Sequence, residues 1–311
     1  MPEGTHFQEL MDLRGARIAV TGATGFLGRY IVDVLLARGA HVIGVVRNPG
    51  KVPELAAKGV ELRKADLSER ANLAAGFAGA AAVVSNAALF SLGNQRWEEH
   101  ERANVEGTRN VMGACADAGV SRVVQVSSVA VYGIFARGVL HEDAPQLGPE
   151  TRRLPWSVYA VSKALSEQEA WRLAREQGLA LTTVRPCTIY GAFDPNFMPV
   201  FKRITTFPVS IRPLGLRMSY VYAGDVAEGI ALALEREQSI GRAYNLTGDG
   251  ESWQDLTDAW SALGGRTPVL ALPIPIPLTP RFDNARAKKE LGWRPRALVD
   301  GLRETLRLEG V

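Results

Sequence analysis

The chain has 311 residues, of which 46 % are hydrophobic and 22 % are charged, and its formal net charge is +3. This composition is typical of a soluble globular protein of one large or two modest domains. The net charge is too small to indicate a nucleic acid or an anionic membrane as partner. The two cysteines, Cys115 and Cys187, have different sequence contexts, so we expect no disulfide framework and a reducing, cytoplasmic compartment.

No targeting or metal-binding pattern stands out. Acidic residues come early and no continuous apolar stretch precedes Ile18, which predicts no secretory signal. The apolar stretch 269–280 contains four prolines, which favour an extended surface segment over a membrane span. The four histidines are scattered without ligand spacing, so no metal is expected.

Short apolar runs alternate with helical patterns through the first part of the chain. The predicted strands cover residues 17–21, 41–46, 60–65, 81–86, 122–128 and 179–186. The predicted helices cover residues 28–39, 68–79, 96–118 and 158–177. This alternation indicates βαβ units and a parallel sheet, and the near-continuous apolar strands indicate a sheet covered on both faces.

The pattern changes beyond residue 187, where prolines cluster. A strand and a helix return at 219–237, a strand follows at 242–248, and a basic helical tail begins at residue 283. We therefore predict two regions. The main domain covers residues 1–186 together with 219–248, and a smaller substrate-binding region covers residues 187–218 and 249–311.

The sequence TGATGFLG follows the first predicted strand and opens the first predicted helix. Its glycines, Gly22, Gly25 and Gly28, are three residues apart and so depart from the G-x-G-x-x-G spacing. They still permit a sharp turn and the close approach of a pyrophosphate to the helix N-terminus. A glycine-rich turn without a ligand is the alternative, which the flanking strand and helix disfavour. The sequence thus predicts an α/β fold with a Rossmann-type doubly wound parallel sheet.

The end of the second strand is where a dinucleotide fold reads the adenosine ribose. Arg47 stands there with Lys51 nearby, and no acidic residue is present. Because a guanidinium pairs well with a phosphate, this favours NADP over NAD, although a solvated arginine is the alternative. Asp66, after the third strand, is placed to accept a hydrogen bond from the adenine amino group.

Several motifs occur in a definite order along the chain. They are TGATGFLG, DL at 66–67, NAA at 86–88, NVEGT at 104–108, VSSVAVYG at 126–133, YAVSK at 159–163, RPCTIYG at 185–191 and DNARAKKELGWRPR at 283–296. Together they resemble the extended short-chain dehydrogenase/reductase family, also described as NAD-dependent epimerase/dehydratase. The resemblance runs from about residue 15 to the end of the chain.

The resemblance implies roles for three residues. Ser128 would bind the substrate oxygen, with Ser127 as a disfavoured alternative. Tyr159 would be the general acid/base, and Lys163 would lower its pKa and bind the nicotinamide ribose. The i,i+4 spacing places Tyr159 and Lys163 on one helix face.

The resemblance also implies a set of ligand-binding positions. Those for the cofactor are Gly22, Thr24, Gly25, Phe26, Leu27, Gly28, Arg47, Asp66, Leu67, Asn86, Ala87, Ala88, Asn104, Tyr159, Lys163, Pro186 and Cys187. Those for the substrate are Phe90, Ser128, Thr188, Phe193 and Phe197. The phenylalanines, like Met198 and Phe201, have the alternative of being core residues of the smaller region.

Departures from the family pattern bear on the reaction. Val129 and Ala130 follow Ser128 where related dehydratases have an Asp-Glu pair, and neither can move a proton, so a 4,6-dehydratase is disfavoured. Thr188 stands where many nucleotide-sugar enzymes have asparagine. The sequence therefore predicts an NADP(H)-dependent oxidoreductase that interconverts a ketone and a secondary alcohol on a rather apolar small molecule.

Two alternatives stay open. A nucleotide-sugar 4-epimerase would hold NAD tightly, and Arg217 and Arg281 would clamp the diphosphate of its substrate. A non-catalytic NADPH-binding sensor would not require the activated phenol of Tyr159. We also expect a homodimer, because the helices near 96–118 and 156–177 form the interface in related enzymes.

Overall fold

Strands alternate with helices along the chain, as the sequence predicts. This computed structural model describes residues 11–90, 96–133, 135–153, 157–214, 216–276 and 280–310. The strands of the central sheet are β1 (Arg17–Thr21), β2 (His41–Val46), β3 (Glu61–Lys64), β4 (Ala82–Ser85), β5 (Arg122–Val126), β7 (Ala180–Pro186) and β11 (Ala243–Leu246). They are all parallel and lie in the order β11-β7-β5-β4-β1-β2-β3.

Helices cover both faces of the sheet. In the main part of the fold they are α1 (Phe26–Ala37), α2 (Pro53–Ala57), α3 (Arg70–Phe77), α4 (Trp97–His100), α5 (Gly107–Asp117), α6 (Val158–Gln177) and α8 (Ala223–Glu235). The sheet strands β1, β4 and β5 are almost wholly buried, which explains their near-continuous apolar sequences. The predicted Rossmann-type doubly wound fold is confirmed.

The connections place a crevice above the middle of the sheet. The chain order reverses between β1 and β4, because the strands on one side are β2 and β3 and those on the other are β5, β7 and β11. In open parallel sheets a ligand binds at the carboxyl ends of the strands, at this point of reversal. The fold therefore fixes where a cofactor site can form.

A smaller part of the chain lies beside this crevice. Its strands are β6 (Val139–Leu140), β8 (Thr188–Tyr190), β9 (Val209–Leu214), β10 (Tyr220–Tyr222), β12 (Leu270–Pro275) and β13 (Arg281–Phe282), and its helices are α7 (Phe197–Thr206), α9 (Trp253–Ala262) and α10 (Leu298–Glu309). The strands form three parallel pairs, β8 with β10, β9 with β12 and β6 with β13. Met198 and Phe201 are core residues here. The domain boundaries stay a prediction.

One helix differs in detail from the sequence pattern, and one extended segment agrees with it. The helix predicted at 96–118 is interrupted by a π-helical turn, Glu101–Glu106, between α4 and α5. The apolar stretch at 269–280 contains the exposed strand β12, as expected of an extended surface segment. Within the described residues, no helix has both the length and the apolar character that crossing a membrane requires.

A buried ion pair joins α6 to the sheet. Glu167 of α6 is 0 % exposed, and Arg185 of β7 donates from Nε to its two carboxylate oxygens at 3.1 and 3.0 Å. Arg185 also donates from Nη1 to the hydroxyl of Tyr132 at 2.6 Å. Burial opposes ionisation of Glu167, but its bonds to Arg185 outweigh this effect and lower the pKa of the carboxyl. The pair is therefore fully charged near neutral pH.

We expect Arg185→Met to lower the free energy of unfolding by about 3–5 kcal/mol, because the charge of Glu167 would stay buried without its partner. The matched control is Arg172→Met, which removes surface ion pairs with Glu169 and Glu176 on the same helix. That change should cost less than about 1 kcal/mol. Urea unfolding at neutral pH measures both, and equal losses would contradict the prediction.

Candidate active site

A cavity of about 1250 Å³ opens at the carboxyl ends of the central strands. It reaches from the glycine loop after β1 to the smaller region, where β8 and α7 contribute to its wall. Pockets for one drug-sized ligand are usually roughly 300–1,000 Å³. The cavity therefore has room for a dinucleotide and a substrate together.

The glycine loop forms one wall of this cavity through close backbone packing. Gly22 has a positive φ of 66°, and a Cβ there would lie 2.9 Å from the Cα of Ala87. A Cβ on Gly28 would lie 2.0 Å from the carbonyl oxygen of Gly22. Helix α1 begins after Gly25 with no side-chain cap and no acidic residue in its first turn. Its first amide groups can therefore donate to an anion, which fits a pyrophosphate.

The segment after β4 is held against this loop. Thr21 Oγ1 accepts from the amides of Asn86 and Ala87, each at 3.1 Å. Asn86 Nδ2 donates to the carbonyl of Gly22 at 3.2 Å. The NAA motif thus fixes the spacing between two strand ends that line the cavity.

Arg47 and Asp66 lie at the far end of the cavity, after β2 and β3. The Arg47 side chain is exposed. Asp66 Oδ1 accepts from the amide and the hydroxyl of Ser68, at 2.9 and 2.7 Å, and these bonds lower the pKa of Asp66. This end of the site thus offers a guanidinium and an ionised carboxylate, groups suited to a phosphate and an amino group.

Ser128 and Tyr159 meet at the other end. Ser128 caps the 3-10 turn Val129–Tyr132, and its Oγ accepts from the amide of Ala130 at 3.1 Å. The Tyr159 hydroxyl is hydrogen-bonded to Ser128, and the ring of Phe90 stands edge-on to the Tyr159 ring at a centroid distance of 4.9 Å. Burial raises the pKa of Tyr159 to about 12, although the bond to Ser128 opposes the shift.

Lys163 lies one helical turn beyond Tyr159 and is only 4 % exposed. Its Nζ donates to the carbonyl of Val126, at the end of β5, at 2.7 Å. Burial lowers the pKa of Lys163 to about 8, while the charge of Glu167 acts in the opposite direction. The sequence predicts a lowered pKa for Tyr159, but in this structure desolvation dominates. The phenol is therefore neutral at pH 7 and is suited to donate a proton.

Most of the predicted site residues line this one cavity. They are Gly22, Thr24, Gly25, Phe26, Leu27, Arg47, Asp66, Leu67, Asn86, Ala87, Ala88, Phe90, Ser128, Tyr159, Lys163, Pro186, Cys187, Thr188 and Phe197. Cys187 is not activated as a nucleophile, because burial raises the pKa of its thiol.

Gly28, Asn104 and Phe193 lie outside the lining. Gly28 packs against the glycine loop from within α1. Asn104 sits in the π-helical turn, where its Oδ1 accepts from the amide of Leu89 at 2.7 Å and its Nδ2 donates to Ser162 at 2.9 Å. Phe193 is 75 % exposed, with a positive φ of 62°. Asn104 thus supports the site from behind, and Phe193 lies on the surface.

The cavity also contains residues that the sequence did not single out. Among them are Leu89, Arg102, Val200, Leu216, Met218, Pro280 and Phe282. Leu89 directly follows the NAA motif and could have been inferred from it. Leu216, Met218, Pro280 and Phe282 come from segments whose sequences show no regular helix or strand pattern. Only the tertiary structure therefore brings them to the site.

Comparisons with known proteins agree with this architecture. The model of the NAD dependent epimerase/dehydratase family matches residues 18–247. The 4-hydroxy-2-methyl-3-oxo-4-farnesyl-3,4-dihydroquinoline-1-oxide ketoreductase of Stigmatella aurantiaca is 34 % identical over 305 residues, which cover 94 % of this chain and 86 % of that protein. Tetraketide alpha-pyrone reductase 1 of Arabidopsis thaliana is 31 % identical over 289 residues, which cover 85 % of each chain.

A solved structure described as MoeE5 in complex with UDP-glucose and NAD aligns with a TM-score of 0.78 and 27 % identity. The alignment covers 95 % of this chain and 99 % of that one. The MoeE5 structure shares the fold of this chain and is a complex that contains NAD. The chain belongs to the NAD-dependent epimerase/dehydratase family, the extended short-chain dehydrogenases/reductases, and is an enzyme of NAD(P)-dependent oxidoreduction.

Proposed function

We propose that this enzyme uses NADP(H) to interconvert a ketone and a secondary alcohol on a rather apolar small molecule. The observation that carries the proposal is the hydrogen-bonded pair of Ser128 and Tyr159 hydroxyls, with a neutral phenol, facing a large cavity. Apolar side chains such as Phe90, Phe197 and Phe282 line the same cavity. The names of the two relatives describe reductases of a farnesylated quinoline oxide and of a tetraketide pyrone, which supports an apolar substrate.

In the reducing direction, Ser128 and Tyr159 orient the substrate by donating hydrogen bonds to its carbonyl oxygen. When bound, the nicotinamide ring supplies the hydride that reduces the carbonyl carbon. Negative charge then develops on the carbonyl oxygen, and Tyr159 donates its proton to that oxygen. In the oxidising direction Tyr159 takes the proton back, so both directions use one residue.

Lys163 stabilises the phenolate that Tyr159 leaves behind. Its ammonium is held by the carbonyl of Val126, one helical turn from Tyr159, in a site that excludes most water. Because burial lowers the pKa of Lys163 to about 8, a fraction of this charge is lost as the pH rises above neutral. The reduction should therefore slow at alkaline pH.

The choice of NADP over NAD rests on Arg47. Its exposed guanidinium lines the cavity end opposite Tyr159, where the adenosine ribose of a dinucleotide would lie. A guanidinium binds a phosphate through two parallel hydrogen bonds, and NADP carries a 2′-phosphate at this place.

A nucleotide-sugar 4-epimerase is the second candidate. Arg217 and Arg281 line a smaller cavity of about 280 Å³ that shares Arg217 and Phe282 with the large one. Two guanidinium groups beside the substrate region are suited to a diphosphate. The similar MoeE5 structure is a complex with UDP-glucose and NAD, which supports this second candidate. The homodimer through α5 and α6 and the cytoplasmic compartment also stay proposals.

We expect Tyr159→Phe to lower the rate of NADPH-dependent ketone reduction by about 10²–10⁴-fold, because the proton donor is removed while the ring is kept. The control is Tyr30→Phe, which removes a phenolic hydroxyl bonded to the Ala192 carbonyl, outside the cavity lining. NADPH oxidation across a panel of apolar ketones measures the effect. Turnover of UDP-sugars without net redox change, with the ketones inert, would favour the epimerase instead.

We expect Lys163→Met to remove most turnover but to raise the free energy of unfolding at pH 7 by about 1–3 kcal/mol. Folding lowers the pKa of Lys163 from 10.5 to about 8, so the unfolded chain binds the proton more tightly. The stability of the parent protein should therefore rise with pH between these values, and the advantage of the variant should shrink over the same range. Urea unfolding at several pH values measures this, and a variant less stable at pH 7 would contradict it.

We expect Arg47→Ser to raise the KM for NADPH about tenfold or more and to leave the KM for NADH within about twofold, because only NADPH carries the 2′-phosphate. Arg14→Ser, an exposed arginine away from the cavity, is the control. Steady-state kinetics with both cofactors measures the ratio. An unchanged preference would show that Arg47 does not read the ribose.

A further inference from the structure

Three charged side chains are buried behind the active site. Lys163 and Glu167 lie one helical turn apart on α6, and Arg185 lies on β7. They are 4 %, 0 % and 3 % exposed, respectively. The group thus contains two cations and one carboxylate, in an interior where an unbalanced charge is costly.

Arg185 cannot relieve this imbalance by losing its proton. Its Nη1 donates to the hydroxyl of Tyr132 at 2.6 Å and to the carbonyl of Glu142 at 2.7 Å, in addition to its bonds with Glu167. Burial opposes the charge of Arg185, but its bonds to Glu167 outweigh this effect and raise the pKa of the guanidinium. A lysine, by contrast, loses its proton readily when it is buried. The charge of Lys163 is therefore the one that depends on the carboxylate.

In the described part of the chain, the other ionisable groups around this pair supply no second anion to Lys163. They are Tyr159 on α6, Tyr132 at the end of the 3-10 turn, Cys187 after β7, His100 on α4 and Glu142 after β6. Burial raises the pKa of Tyr159, Tyr132 and Cys187, so these three groups are neutral at pH 7. The ring of His100 faces that of Tyr159 at a centroid distance of 6.5 Å. The Glu142 carboxylate accepts from the amide of Asn245 at 3.0 Å and pairs with Arg286 at 3.6 Å. Glu167 is therefore the carboxylate that acts on Lys163.

The same carboxylate connects the segments that carry the site residues. Its two oxygens accept from Nε of Arg185, which directly precedes Pro186 in the cavity wall. Arg185 in turn donates to Tyr132, the last residue of the 3-10 turn that Ser128 caps. Glu167 thus helps to hold α6, β7 and the turn after β5 together.

We propose that Glu167 is a positioning residue of this enzyme, whose carboxylate is shared by Arg185 and Lys163 and keeps Lys163 in its ammonium form. The helix holds the carboxylate one turn from Lys163, and Arg185 fixes it there through two bonds. The electrostatics agree with this geometry, because burial lowers the pKa of Lys163 and the charge of Glu167 opposes that shift. The inference deepens the proposed oxidoreduction and rests on it, since the ammonium is the group that stabilises the Tyr159 phenolate.

The pH dependence of NADPH-dependent ketone reduction tests the proposal. Glu167→Gln keeps the shape of the side chain and removes its charge, so we expect Lys163 to lose its proton about one pH unit lower than in the parent protein. The rate relative to the parent should then be about 5–10-fold smaller at pH 8.5 than at pH 6. A purely structural loss would lower the rate by the same factor at both pH values.

Two further variants separate the charge of Glu167 from the fold. Glu167→Gln alone leaves Arg185 without its partner, whereas the combined Glu167→Gln and Arg185→Met removes both charges of the pair. The alkaline loss of rate should move to lower pH in the combined variant as well. Glu167→Asp keeps the charge and should keep the pH profile of the parent protein. Thermal unfolding verifies that each variant is folded.

The matched control is the combined Glu169→Gln and Arg172→Met, which removes a surface ion pair on the same helix. Like the combined variant of the buried pair, it leaves the net charge of the chain unchanged. Its pH profile should match that of the parent protein.

Unfolding measures the same coupling without substrate or cofactor. The unfolded chain binds the Lys163 proton more tightly than the folded chain, so this residue makes the stability rise with pH from about 8 to 10.5. In Glu167→Gln, alone or combined with Arg185→Met, this rise should begin at a lower pH. Urea unfolding at several pH values measures it, and the difference between each protein and its counterpart with Lys163→Met isolates the contribution of Lys163.

Two outcomes would overturn the proposal. The first is an alkaline loss of rate and a rise of stability that occur at the same pH in the parent protein and in both charge-removing variants. The second is an equal shift in Glu167→Asp or in the surface control. If the parent protein reduces no ketone, the proposed oxidoreduction fails, and the unfolding measurement still decides whether Glu167 holds the charge of Lys163.

Discussion

The docking of α6 on the carboxyl ends of β5 and β7 is the constraint on which the site depends. Three polar contacts fix it within a buried interface. Lys163 bonds the carbonyl of Val126, Glu167 bonds Arg185, and Ser162 bonds Asn104. Polar groups without partners are costly in such an interface, so the helix has one register in which all these bonds form. Tyr159, on the same helix, is placed as a consequence.

The same burial sets the protonation states of the two residues that face the cavity. Desolvation disfavours the charged form of any group, so it raises the pKa of Tyr159 to about 12 and lowers that of Lys163 to about 8. The phenol is a proton donor at rest, and the ammonium is destabilised in the folded state. A site of this kind uses stability that the surrounding core supplies.

Much of the fold could be predicted from the sequence because its strands are buried on both faces. The bounds of β1 and β2 agree with the apolar runs, since those runs are as long as the buried part of each strand. The π-helical turn before α5 was not predictable, because it accompanies contacts that Asn104 makes with Leu89 and Ser162 far along the chain. The sequence also predicted a substrate position at Phe193, because this aromatic residue follows a family motif, but its side chain is exposed on the surface.

The sequence by itself determined the glycine loop, the strand order along the chain, and the spacing of Tyr159 and Lys163, because each depends on residues that are neighbours in sequence. The tertiary structure alone decided which pKa shift dominates, since desolvation depends on what packs around a group. It also decided that Met218 and Phe282 line the same cavity as the NAA segment, and that β9 and β12 form a parallel pair. These features join segments distant in sequence, and local patterns carry no information about such contacts.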